Sequence, residues 1–359
     1  MSVAGRTHLR AAVVGCGKAA QLHISSLLKA RHAELVAVCD VNEQAAQQTA
    51  ARFGLRRWYA DLSHLLQQEH PDVVHITTPP PTHLSVSTQA MNAGCHALVE
   101  KPLALNVGDA DAMIEVARSN GVRLCVVHNQ LFVPAVLKAR HIVDNGGIGD
   151  VVWMTISDCG RQLDSLVVEA GHWCHGLPGG VFSEGLPHTL YLATAFLRRL
   201  EPKAVYTHRF GSHDWLAADE LRIVLEGDNS VATITASVRG PRDIMAFDLV
   251  GTRGTLHVSI SHGLVIRYRP THRRRLSHGL ESVSSGWQWL YGTASVAALI
   301  AGGRYWNGHY RLIESFIESL REGSEPPVAV EDGREVVRLY EAIGSRLQAA
   351  QQDVGPSGK

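Results

Sequence analysis

The segment Gly15-Cys-Gly-Lys-Ala-Ala20 restricts the fold of this chain more than any other. It follows a short apolar run, residues 10–14, and opens a stretch with helical spacing, residues 19–30. Gly15 permits a tight turn, Gly17 lets the backbone approach a pyrophosphate, and Ala20 lets the helix pack close to the strand. The N–H groups of Cys16, Lys18 and Ala19 belong to the same turn. Unpaired N–H groups and the dipole at the helix start favour phosphate there.

The rest of the first part alternates between strand-like and helix-like runs. Residues 34–39 read as a strand ending at Asp40. Residues 42–53 read as a helix with Asn42 as N-cap and Gly54 as its stop, and 61–69 as a further helix. Residues 72–76 form the next strand, 84–92 a helix, 95–99 a strand running into 100–102, 109–120 a helix, and 123–127 a closing strand. This is the pattern of a parallel sheet covered on both faces. Asp40 stands 25 residues after Gly15, where an acid accepts from the adenosine ribose hydroxyls. A carboxylate there repels a 2′-phosphate, and neither Val41 nor Asn42 supplies a cation. NAD is therefore expected as cofactor, ahead of NADP.

After about residue 129 the texture changes. Strand-like runs at 151–157, 204–209, 221–225, 231–238, 244–250, 255–259 and 264–268 are punctuated by turns at 227–230 and 252–254, as in an antiparallel meander. In 231–238 one face is apolar (Ala232, Ile234, Ala236, Val238) and the other mildly polar (Thr233, Thr235, Ser237). Two helices, 310–322 and 333–351, close the chain.

Composition removes several classes of function. Lys plus Arg and Asp plus Glu both number 34 in 359 residues, so no global field draws nucleic acid or an anionic membrane. The six cysteines show no CxxC spacing, which fits a reduced, cytoplasmic protein. The N-terminus lacks an apolar signal region, and residues 291–302 are too few to span a bilayer.

Lys101, in Glu100-Lys101-Pro102, sits at the carboxyl end of a strand, where the nicotinamide of a bound dinucleotide lies. Thr77, Thr78 and Pro79 form the loop after the preceding strand, on the same side. His83 and Asn129 are placed to line that pocket, although structural roles suit them equally. A hydride transfer from an alcohol also needs a base with a pKa near the working pH, and histidine starts there. Gly179-Gly180-x3-Glu184-x3-His188 puts an acid four residues before such a base. Spacing alone fits a surface pair or a core histidine as well. His172-Trp173-Cys174-His175 invites a metal reading, but no fourth ligand and no zinc spacing accompany it. A loop of polar side chains facing substrate is the alternative, and no metal is expected. Trp287, Trp289, Tyr291, Tyr305 and Trp306 read as core, with a subunit contact or a sugar-stacking cover as other uses.

The glycine turn, Asp40, the Thr-Thr-Pro-Pro-x-Thr-His segment at 77–83, Glu100-Lys101-Pro102 and the Gly-Gly-x3-Glu-x3-His run together resemble the Gfo/Idh/MocA oxidoreductases. That is the family of glucose–fructose oxidoreductase and inositol 2-dehydrogenase, and the likeness covers nearly the whole chain. The resemblance implies an α/β fold. A Rossmann doubly wound sheet is expected over 1–128, followed over 129–354 by an α/β domain with a large open, mostly antiparallel sheet. It implies that Lys101 contacts the reacting hydroxyl and that His188 is the acid/base. The position of Glu184 usually holds an aspartate that binds substrate or assists the base. The departure matters: the usual Asp-x-Gly-x-His is here Glu184-Gly-Leu-Pro-His188. Pro187 disfavours helix at Leu186, so the helix is expected to begin near Pro187, with Glu184 in the preceding turn. Expected function is an NAD-dependent dehydrogenase of a sugar, cyclitol or glycoside, working as a homodimer or homotetramer paired through the open sheet. An NAD-retaining glycoside eliminase and a non-catalytic dinucleotide sensor are the alternatives.

Overall fold

The computed structural model describes residues 7–160, 169–211, 213–240, 243–270, 275–302 and 307–353. The chain divides into two units. The first comprises Met1–Phe132 and Asn307–Arg338, the second Val133–Trp306 and Leu339–Lys359.

In the first unit, six parallel strands are ordered β3-β2-β1-β4-β5-β6. They are β1 (Leu9–Val14), β2 (Ala33–Cys39), β3 (Trp58–Tyr59), β4 (Val73–Ile76), β5 (His96–Val99) and β6 (Leu124–Val126). Helices α1 (Lys18–Leu27), α2 (Glu43–Phe53), α3 (Leu62–Glu69), α4 (His83–Asn92) and α5 (Val107–Ser119) connect them. Every residue of β4 and β5 is buried, as in strands covered on both faces. The cap read for α2 is present: Asn42 accepts from the Ala45 N–H, and Gly54 takes the left-handed conformation. The strand order reverses direction at β1 and β4, and the crevice beyond their carboxyl ends is where such sheets take ligands.

The second unit holds a seven-stranded sheet, β13-β12-β11-β7-β10-β9-β8. Its strands are β7 (Val151–Cys159), β8 (Glu201–His208), β9 (Glu220–Glu226), β10 (Val231–Ser237), β11 (Ile244–Gly251), β12 (Gly254–Ser259) and β13 (Leu264–Tyr268). All neighbours are antiparallel except β7 and β10. The alternation read in β10 is present, with Ala232, Ile234 and Ala236 buried and Thr233, Thr235 and Ser237 half-buried. The same outer face exposes Trp153, Tyr206, Val231 and Ile244. Helices α6 (Pro134–Asp144), α7 (Leu186–Thr194) and α8 (Arg275–Ala301) belong to this unit.

Two helices follow, α9 (Gly308–Glu322) and α10 (Val330–Asp353). The sequence division at 128/129 put both in the second domain. Residues 129–132 and 307–338 instead join the first unit. The reason is burial: Leu312, Ile313, Phe316, Ile317 and Leu320 of α9 enter the first unit's apolar core. Amphipathic spacing shows that a helix has an apolar face, but not which core receives it.

Three of the five aromatic residues expected in the core are not there. Trp287, Trp289 and Tyr291 are exposed on α8, while Tyr305 and Trp306 lie outside the described residues.

Candidate functional site

The glycine turn is held from two sides. The Gly15 N–H donates to the Cys39 carbonyl at 2.8 Å, and the Thr77 hydroxyl donates toward the Gly15 and Val14 carbonyls at 2.7 and 3.0 Å. Gly15 has φ +93°, and a Cβ there would lie 2.8 Å from the Thr77 and Thr78 backbone. Both facts demand glycine. At Gly17 a Cβ would meet nothing within 4 Å. Helix α1 begins at Lys18, with Ala19 beside it, and no side chain caps its start. Its leading N–H groups therefore border an open cradle, while Ala20 is buried at its base. Asp40 is bound into the turn: Oδ2 accepts from the Cys16 N–H at 2.7 Å and Oδ1 from the Asn42 N–H at 2.8 Å. An acid, an open glycine and uncapped N–H groups fit an adenine dinucleotide.

Beside this turn lies a cluster that sequence reading did not find. Glu100 is buried, and its Oε1 faces His23 Nε2 at 3.0 Å and His309 Nε2 at 3.5 Å. Its Oε2 accepts from the Lys101 N–H at 3.1 Å. His23 Nδ1 meets His75 Nδ1 at 3.0 Å, and Asn129 Nδ2 lies 3.4 Å from His309 Nδ1. Proton accounting fixes the tautomers. Nε2 of His75 is buried without a hydrogen-bond partner, so a proton there would be stranded. The proton therefore sits on His75 Nδ1 and donates to His23 Nδ1, and His23 Nε2–H donates to Glu100. His309 Nδ1 accepts from Asn129, which directs its Nε2–H to the same carboxylate. Burial favours neutral His23 and His75 and lowers both pKa values. Burial pushes the Glu100 carboxyl up, but the hydrogen bonds from His23 and His309 outweigh it and hold it well below the usual range.

His23, Glu100 and His309 also bring three ligand atoms within 4.8 Å of one another. A metal there would need the His23 Nε2 lone pair. That would drive the His75 proton onto its stranded nitrogen, so the hydrogen-bonded network is the better-satisfied arrangement.

Two of the residues expected at the cofactor have other work than lining it. His83 is fully buried; its Nδ1 faces the Pro102 carbonyl at 2.9 Å and its Nε2 the Thr78 carbonyl at 2.9 Å. It lies between the Thr78-Pro79 loop and the segment after Lys101, and with one N–H in the neutral ring it donates to one of these carbonyls at a time. The Glu100 side chain points into the histidine cluster and fixes the backbone at Lys101. Asn129 approaches the cluster through His309. Nearby His128 is buried, which brings its pKa down to about 3.

In the second unit, α7 starts at Leu186 with Pro187 in its first turn, so Glu184 precedes the helix. The one-turn spacing of Glu184 and His188 is therefore not a helical pair, as the proline led us to expect. Both are half-buried. Tyr191, a buried residue, places its hydroxyl 2.6 Å from His188 Nδ1 and helps to orient the ring. A tyrosine three residues on was the available signal.

His172, Trp173 and His175 do come together. His172 Nδ1 accepts from the Cys174 N–H at 3.3 Å, and its ring lies 5.4 Å from Trp173 and 6.3 Å from His175. His175 meets Trp215 edge-on at 4.9 Å, and His213 lies 5.3 Å from Trp215. Cys174 is buried beneath this partly exposed aromatic group.

Residues 9–128 match the model of the oxidoreductase family with an NAD-binding Rossmann fold, and residues 136–257 match the GFO/IDH/MocA C-terminal domain. The chain is 28% identical over 342 residues to D-apiose dehydrogenase of Paraburkholderia graminis, covering 93% of this chain and 86% of the relative. It is 24% identical over 345 residues to myo-inositol 2-dehydrogenase of Thermotoga maritima, covering 95% and 96%. The fold superposes on the WlbA dehydrogenase of Bordetella pertussis, solved with NADH and UDP-GlcNAcA. The TM-score is 0.78 at 22% identity, over 96% of each chain. With both domain models matched in order and the glycine turn built for a dinucleotide, this chain is an NAD-binding enzyme of the Gfo/Idh/MocA oxidoreductase family.

Proposed function

We propose that this protein oxidises a secondary ring hydroxyl of a sugar, cyclitol or glycoside, or reduces the matching ketone. The observation that carries the reading is the anchoring of Lys101: its own N–H is fixed by a buried carboxylate that is itself held by two histidines. So much buried polar structure behind one lysine fits a residue whose position matters to chemistry. Relatives named for D-apiose and myo-inositol oxidation support the substrate class.

Bound at the glycine turn, NAD supplies the hydride acceptor. The Cys16, Gly17, Lys18, Ala19 and Ala20 segment would hold its phosphates, Asp40 would accept from its ribose, and Thr77, Thr78, Pro79 and Asn129 would serve its nicotinamide end. Lys101 donates an N–H to the substrate oxygen and stabilises charge developing there. His188 takes the hydroxyl proton at Nε2 while its Nδ1–H donates to the Tyr191 oxygen, which stabilises the tautomer that can act as base. Glu184 assists the base, and His172, Trp173 and His175 contact the sugar. The mildly polar outer face around Thr233 and Thr235 suits pairing of two protomers.

The test is NADH formation across a panel of inositols, pentoses, aminosugars and glycosides. A responding substrate should lose turnover with His188→Ala while NAD affinity stays within about twofold. Loss of NAD binding in that variant would remove His188 from the role of base. Glycoside cleavage without net NADH would point to the eliminase instead.

A further inference from the structure

Helix α8 is amphipathic the wrong way round. Its Gln288 side chain pairs with the Arg267 backbone of β13 in both directions, at 2.8 and 3.0 Å. At Gly292 an added Cβ would lie 2.8 Å from the Leu264 side chain, so this is the face turned to the sheet edge. That face is polar or small: Glu281, Ser285, Gln288, Gly292 and Ser295 are half-buried, joined by Val296 and Leu299 only near the end. The opposite face carries Leu280, Val283, Trp287, Leu290 and Tyr291. Leu280 is 72% exposed, Trp287 67%, Leu290 67% and Tyr291 74%. A helix of an isolated protomer buries its apolar stripe and wets the polar one.

We infer that α8 is a self-association surface, pairing antiparallel with α8 of a second copy of this chain across a two-fold axis near Leu290 and Tyr291. Three observations choose that occupant. The outward stripe runs Leu280, Val283, Trp287, Leu290, Ala294, Ala297 and Ala301, the alternating three-and-four spacing of a helix–helix seam. Its first half is bulky and its second half is alanine. Antiparallel pairing about Leu290–Tyr291 sets Leu280 against Ala301, Val283 against Ala297 and Trp287 against Ala294. Large side chains then meet small ones, as an isologous interface requires. With about 150–250 Å² per aromatic side chain, the exposed stripe offers roughly 600–800 Å² per helix, near one partner's share of a standard specific interface. Apart from Arg275 at its start, α8 holds one charged side chain, Glu281, and no further Lys or Arg, so its half-buried polar face from Glu281 to Ser295 is without basic residues. A helix lying on a membrane surface carries basic residues along its polar face, so a lipid surface is the poorer fit.

The full-length protein is weighed by light scattering after gel filtration, wild type beside Trp287→Glu and Leu290→Glu. Both substitutions are at exposed positions of the protomer, so circular dichroism should be unchanged and melting should stay cooperative, losing only the concentration-dependent increment that pairing adds, while the mass halves. Halving is expected from tetramer to dimer if the open sheet also pairs, and from dimer to monomer if it does not. Failure of the sheet pairing proposed above is therefore read separately. Mass unchanged in folded variants overturns the inference. Should a glutamate variant not fold, cysteine cross-linking decides. Leu290→Cys should give a disulfide-linked dimer under mild oxidation. Val283→Cys alone should not, because antiparallel copies would stand about 21 Å apart along the axis. A mixture of Val283→Cys with Ala297→Cys should. Equal self-linking of Val283→Cys, or flotation of wild type on phosphatidylserine vesicles with no change of mass in the glutamate variants, sinks it.

Discussion

The two units handle polar and apolar groups in opposite ways. The first takes polar groups inside: His23, His75, His83, Glu100 and His128 are buried, and the hydrogen bonds of the Glu100 cluster run in one consistent direction. The second leaves apolar groups outside, on the open sheet face and along α8. Both patterns depart from a simple core, and each has a cost. Buried polar groups are tolerated only when nearly all are satisfied. Exposed apolar stripes of this extent mark surfaces meant to be covered. The first unit thus spends its irregularities on buried polar contacts, and the second on exposed apolar surface.

The sharpest way to break that contrast is through turnover. Lys101→Ala should lower kcat/KM by about 10²–10⁴-fold, the range for removal of a group that handles charge or protons in the transition state. His188→Ala should do the same. Stopped-flow or steady-state rates with an active polyol decide it, and a loss under tenfold for either would detach that residue from the chemistry.

Stability offers the next comparison. Glu100→Leu should cost about 3–5 kcal/mol, since it removes the acceptor of the buried His23 N–H and of the half-buried His309 and Lys101 N–H groups. The second unit has a pair of the same type, His257 with Asp248 at 2.8 Å, but it is substantially exposed. His257→Ala should cost no more than about 1 kcal/mol. Urea denaturation of both variants checks the ratio, and equal shifts would show that burial is not what gives the Glu100 cluster its weight.

Acid should act on the first unit before the second. Burial lowers the pKa of His23, His75, His83 and His128 in the fold. Their stabilising share is complete above the unfolded histidine value and declines as pH falls below it, by up to about 1.4 kcal/mol per group per pH unit. The share from Glu100, whose folded pKa is lowered, is present above the ordinary carboxyl value and is lost as pH falls through the folded one. His257 runs the other way. Its bond to Asp248 raises its pKa, so its small share is full below the unfolded value and fades as pH rises through the folded one. Hydrogen exchange between pH 7 and pH 4.5 should show amides of β4 and β5 opening while β9 and β10 stay protected. Simultaneous opening would refute the asymmetry.

The smallest effects separate two glycines of one turn. Gly15→Ala meets the Thr77 backbone at 2.8 Å with φ +93°, and should destabilise by about 1–3 kcal/mol. Gly17→Ala meets nothing, so melting should hold while NAD affinity drops. Calorimetry of both variants, by melting and by NAD titration, reads the difference.

Much of this was legible in the sequence because it is local. The glycine turn, the alternating strands, Asp40 and the proline-started helix before His188 each declare themselves within a dozen residues. The histidine cluster did not. His75 sits in an otherwise apolar buried strand, which is a signal, but its partners come from α1, from beyond β5 and, for His309, from more than two hundred residues away. His83 looked like a pocket residue because its loop is one. Only the structure shows both ring nitrogens turned inward to carbonyls. The aromatic run of α8 read as core because apolar residues usually are, and periodicity does not tell an inward stripe from an outward one.

The bond between Asp40 and the Cys16 N–H has a consequence for anyone wishing to change the redox currency of this enzyme. Replacing the acid to admit a 2′-phosphate would remove the repulsion and also cut one of the links that join the end of β2 to the glycine turn, leaving the Gly15–Cys39 bond. The freed N–H would then need a new acceptor. A single substitution at Asp40 should therefore abolish use of one coenzyme without conferring use of the other. A working exchange has to rebuild the turn along with the charge.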